Sequence, residues 1–137
     1  MKKTITPPLL KFVVAATALT IIFRFFMSYA IDTHSLVIMI LPPISYFIGM
    51  FTLGFYFGKK DGNFLPIYDV GFRFHLATYL VFISISELWF FLGIGRIEYN
   101  IHLTALIWGI FLLLHFFMFL ILRKKSYKGL AKEELFE

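Results

Sequence analysis

The chain has 137 residues, of which 60% are apolar, 20% aromatic and 15% charged, and its formal net charge is +5. A soluble domain carries roughly a quarter charged residues, so 19 phenylalanines with so little charge exclude water as the natural solvent and point to lipid. The absence of cysteine excludes disulfides, thiolate metal sites and cysteine nucleophiles.

In chain order, four apolar runs stand out, over residues 12–31, 35–57, 74–94 and 101–122. Each has about the 20 residues that cross roughly 30 Å of hydrocarbon as a helix. Backbone polar groups in lipid must bond within their own segment, so helices are expected rather than isolated strands. The expected fold is an all-α integral membrane protein, a four-transmembrane-helix bundle forming a single membrane domain over residues 1–137.

The basic residues fix the expected threading. Lys2, Lys3 and Lys11 precede the first run, Lys59, Lys60 and Arg73 separate the second and third, and Arg123, Lys124, Lys125, Lys128 and Lys132 follow the fourth. Of the 13 basic residues only Arg24 and Arg96 lie elsewhere. The positive-inside rule then places both termini in the cytoplasm of a bacterial inner membrane. These collars suit anionic lipid head groups and explain the net charge without nucleic acid. The start resembles a signal peptide, with Ser28-Tyr29-Ala30 as a small-x-small site. The apolar run is too long for that, and Arg24 interrupts it. The first run is therefore expected to stay as a helix.

Within the first run, Thr17, Thr20, Arg24 and Ser28 fall on one helical face and are expected to look inward. The second run contains Pro42 and Pro43, which remove backbone donors and predict a kink or partial unwinding. Broken helices of this kind bind ions in some transporters. Gly54-x-x-x-Gly58 offers a close-packing surface. The cytoplasmic loop, residues 58–73, holds a turn at Asp61-Gly62-Asn63 and an apolar patch, Phe64 to Tyr68, expected at the membrane interface. The tail, residues 123–137, has room for a short interfacial helix.

The third run carries Ser84 and Glu87 on one face. Arg24 and Glu87 each lie seven residues from the outer end of their runs, which places opposite charges at matching depth. An isolated charge at mid-bilayer costs about 2.5–3.5 kcal/mol, so such groups pair or serve a function. An ion pair between the first and third helices is expected. The competing reading is an ion or ligand site built from Arg24, Glu87, Ser84 and Ser28.

His75 and His115 are expected to approach each other near the inner side. Paired histidines on facing helices can hold haem b or a transition metal. His102 and His115 are 13 apart, about 140° around one helix, which does not suit two haems stacked on one face. No acidic residue stands beside His115. The expectation is no cofactor and no metal, with hydrogen bonding to neighbouring helices instead.

Residues 70–125 resemble the bacterial two-transmembrane (2TM) domain family. The residues concerned are Phe72-Arg73-Phe74-His75-Leu76-Ala77-Thr78-Tyr79-Leu80, Trp89, His102-Leu103, Trp108-Gly109-Ile110 and His115. That family occurs as small membrane proteins and as membrane regions of sensor kinases, so the resemblance implies a bundle module or signalling anchor. No Ser/His/Asp set, paired carboxylates or phosphate-binding glycine loop is present, and no catalytic residue is expected. The function expected is a non-enzymatic accessory, assembly or signalling subunit acting through helix contacts, as a homo-oligomer or with a membrane partner. The alternatives are a small transporter or channel using Arg24 and Glu87, or a b-type haem or metal protein using His75 and His115.

Overall fold

A computed structural model of the chain describes residues 5–34, 36–63, 67–94 and 99–128. These form four helices: α1 (Pro7–Asp32), α2 (Leu36–Asp61), α3 (Ile67–Phe91) and α4 (Tyr99–Lys128). All four are long and apolar enough to cross a membrane, and no strand occurs among the described residues.

The helices outrun the apolar runs at one end of the bundle. Helix α1 starts at Pro7 because Thr6 caps it, its hydroxyl oxygen accepting from the Leu9 amide at 3.4 Å. Prolines at the first two helical positions suit an end whose amides have no partner anyway. Helix α2 runs on through Lys59 and Lys60 to Asp61. Helix α3 begins at Ile67, and Arg73 reaches back one turn to Asp69 at 2.8 Å. The expected 16-residue loop therefore shrinks to residues 62–66. Of the apolar patch, Ile67 and Tyr68 belong to α3, and residues 64–66 lie outside the described residues. Helix α4 continues to Lys128; the expected tail helix beyond it lies outside them too. Hydropathy marks where a helix would meet lipid, whereas capping and propensity decide where it ends.

The third helix is shorter than expected at its other end. It stops at Phe91, where the amides of Gly93 and Ile94 turn back to the carbonyls of Phe90 and Trp89 at 2.8 and 3.3 Å. Gly93 has φ +67°, the left-handed conformation that this helix-ending motif requires and that glycine adopts without strain.

Helix α1 is central: it packs on α2 and on α3, while α4 touches α3 alone. Phe12, Ala16 and Thr20 recur every four residues on the buried face of α1. The core joins Phe12 and Ala16 to Val70 and Phe74 of α3. The Phe12 ring lies 4.6 Å from Phe74 and 6.4 Å from Phe57 of α2. Those contacts gather the start of α1, the end of α2 and the start of α3. Stacking of Phe72 on Phe119 at 5.2 Å brings the end of α4 to the same place. Lys11, Lys59, Lys60, Arg73 and Lys124 thus share what we call the basic end.

Helix α4 has no buried residue among those described. It is apolar all round, so nothing in its sequence selects one face. Rings hold it to α3: Phe72 meets Phe116 and Phe119, His75 meets His115, and Tyr79 and Phe82 meet Trp108. Since α2 and α4 do not touch, a cleft remains between them.

Two expectations about α2 change. The helix is continuous through Pro42 and Pro43, so it does not unwind; each proline costs one backbone bond, and the turns on either side carry the helix past them. Gly54 has no atom within 4 Å of where a Cβ would sit. Gly58 meets Val70 of α3, 3.7 Å from where its Cβ would sit, so only that end of the Gly54-x-x-x-Gly58 surface packs within the chain, and both glycines line the cleft.

Candidate functional site

The polar face of α1 turns inward and meets a different partner at each level. Thr17 bonds only to its own helix, at the Val13 carbonyl. The Thr20 hydroxyl lies 2.7 Å from the Ala16 carbonyl and 3.1 Å from the Tyr46 hydroxyl of α2. One helical turn on, Arg24 donates from Nη2 to the Ser86 hydroxyl of α3. Ser86 is fully buried and donates in turn to the Phe82 carbonyl. At the next turn, Trp89 of α3 donates from its indole nitrogen to Ser28 at 3.1 Å.

Arg24 and Glu87 do not pair. The guanidinium lies over the Phe82 ring, 5.0 Å from its centroid, and 5.9 Å from that of Phe23. Ring faces are electronegative and hold a cation where water is scarce. The Arg24 Nε is buried with no partner. Glu87 instead faces α4, where its carboxylate lies 3.5 Å from Nδ1 of His102. Ser84 is exposed on a different side of α3. The face of α3 that meets α1 runs through Val70, Phe74, Phe82 and Ser86, all buried. Arg24, Ser86, Ser28 and Trp89 form one polar seam; Glu87 and His102 form another.

The second seam is open. Side-chain exposure is 43% for Glu87 and 77% for His102. Next to His102, α3 and α4 leave a shallow recess of about 540 Å³ lined by Tyr79, Leu106 and Gly109 among others. Above it the Tyr79 hydroxyl donates to the Ala105 carbonyl at 3.3 Å.

The rings of His75 and His115 lie 4.6 Å apart between centroids, tilted by 55°. Axial ligation of haem sets two imidazoles on opposite sides of an iron atom; here the two rings are in direct contact. No group of three metal-ligating side chains occurs among the described residues. Both rings border a cavity of about 320 Å³ with Trp108, Phe111 and Leu112. His75 and Trp108 also border the cleft between α2 and α4, about 590 Å³ in volume.

Sequence reasoning missed two residues. Ser86 could have been found from the four-residue row Phe74, Thr78, Phe82, Ser86, which aligns a small hydroxyl with aromatic core positions. Asp61, read as part of a turn, is fully buried at the end of α2 with neither carboxylate oxygen bonded. Its sequence context, Lys-Lys-Asp-Gly-Asn, carries no signal of burial. No protein-family model, curated protein or solved structure gives a significant match to the chain.

Proposed function

We propose that this is a non-catalytic, multi-pass subunit of a bacterial cytoplasmic membrane, with both termini in the cytoplasm, that acts through side-to-side helix contacts with a second copy or a membrane partner. Gathering of the basic residues at one end of the bundle supports the orientation.

The observation that carries the reading is the exposed Glu87–His102 pair on an otherwise apolar flank. A carboxylate facing lipid costs on the order of 3 kcal/mol. Cover by another helix with hydrogen-bonding groups removes that cost, and polar residues join membrane helices in this way. Transport through Arg24 has less support, because its guanidinium is closed in by Phe23, Phe82 and Ser86.

The test is cross-linking in native membranes. The chain has no cysteine, so Leu106→Cys introduces a single thiol one turn from His102. We expect it to form a disulfide with a second copy, or a photo-cross-linker attached there to trap one discrete partner. Phe25→Cys on the far side of α1 should do neither. Equal, weak labelling at both positions would overturn the reading.

A further inference from the structure

We infer that the cavity beside His75, His115 and Trp108, together with the α2/α4 cleft, binds a lipid-soluble quinone: its flat head lies among these three rings and its apolar tail lies along the cleft. This rests on the membrane placement proposed above, not on the helix-contact role.

The polar groups come first. Among the described residues neither imidazole nor the Trp108 indole has a hydrogen-bonding partner; His75 is exposed, and His115 and Trp108 are half-buried. Each lies within an apolar span, where an unbonded polar group is costly. Three nitrogen-bearing ring side chains line one cavity whose other described walls are Phe111 and Leu112, with Nε2 of His115 on the side of Gly71 of α3. An apolar pocket with a few convergent polar groups is the usual form of a small-molecule site, and such sites span roughly 300–1,000 Å³.

The chemistry of the donors then selects the ligand. Among the described residues no carboxylate lines the cavity, so a divalent cation would bring uncompensated charge into the span at a cost of several kcal/mol. A neutral molecule brings none. Imidazole and indole N–H groups donate, so the head group should carry accepting oxygens, as quinone carbonyls do. Walls made of rings favour a flat head, which stacks on them.

The cleft supplies the place for a tail. It shares His75 and Trp108 with the cavity and runs from Gly58 near the basic end to Pro43. Gly54 leaves it open at mid-length. Its walls are almost wholly apolar, the surroundings an isoprenoid or alkyl chain requires.

The experiment uses the full chain in detergent micelles, with Trp89→Phe so that Trp108 is the sole indole, and decylubiquinone as the probe. Quinones quench indole fluorescence on contact. We expect saturable quenching. His75→Leu with His115→Leu should weaken binding by roughly tenfold or more, the worth of one or two hydrogen bonds. Gly54→Leu, which meets no neighbouring atom, should weaken the decyl-chain quinone but not a tailless benzoquinone. Circular dichroism verifies that each variant keeps its helices. Quenching that rises linearly without saturation, or curves that coincide for all variants, would overturn the inference. So would a disulfide between copies formed at Gly54→Cys, which would make the cleft a dimer seam. A monomer that binds quinone would sustain this inference while removing self-association, so the two readings fail separately.

Discussion

Arg24 donates its hydrogen bond to Ser86 across the α1/α3 seam, and Glu87, one residue further along, turns to His102 on the other side of α3. The positive and negative groups are neighbours in depth that look in different directions.

The Ser86 hydroxyl should therefore matter and the Ser84 hydroxyl should not. Ser86→Ala leaves a half-buried guanidinium unpaired and should cost about 1–3 kcal/mol. Ser84→Ala, on an exposed position, should change stability by less than about 0.5 kcal/mol. Thermal unfolding in a fixed detergent compares them; equal losses would place the seam elsewhere.

Charge reversal gives a sharper contrast. Arg24→Glu places a carboxylate against the faces of Phe23 and Phe82, which repel it. Glu87→Arg acts first on the α3/α4 flank, where it loses its contact with His102. The double reversal should not recover the stability of the parent, because the two groups are not partners. Recovery to within about 0.5 kcal/mol of it would show that they pair after all.

The Thr20–Tyr46 contact ties α1 to α2 at 3.1 Å. Hydrogen bonds between membrane helices average about 0.6 kcal/mol in double-mutant cycles. A cycle of Thr20→Val and Tyr46→Phe should return a coupling of that order. A value near zero would mean that ring packing of Tyr46 on Phe23 carries this seam alone.

Phe12 is 1% exposed and Phe47 is 70% exposed. Phe12→Ala should open a cavity against Phe57 and Phe74 and cost about 3 kcal/mol or more. Phe47→Ala should cost little, since its ring borders only the cleft and the surroundings. Similar losses for the two would contradict a core at the basic end.

Asp61 should be a residue whose removal stabilises. A buried carboxylate without a partner costs at least as much as an unmade hydrogen bond, roughly 1–3 kcal/mol. Asp61→Asn halves the problem and Asp61→Leu removes it, so unfolding temperature should rise in that order. A fall in both would reveal a bonded partner for this side chain.

The number of helices and the inward face of α1 were legible because they rest on strong signals. Charges bracket each run, and four polar residues at helical spacing on α1 stand out from hydrocarbon. The rotation of α3 was not legible. Ser84 and Ser86 are equivalent by composition, and only the aromatic row at 74 and 82 distinguishes their faces. Helix α4 is apolar on every side, so its register against α3 is set by ring geometry that no periodicity encodes. The helix ends at the basic end failed for a further reason. Lys59, Lys60 and Arg73 suggest a loop because they are charged, yet lysine and arginine are good helix formers, and a helix can leave the apolar layer without ending.

That α4 is fastened to α3 alone has a mechanical meaning. Three helices are braced by one another, and the fourth is a cantilever whose far side leans on whatever surrounds it. The spacing between α2 and α4 is then not a fixed dimension of the protein. It should follow the lateral pressure and thickness of the surrounding bilayer, so that the fit of anything lodged in the gap varies with membrane composition.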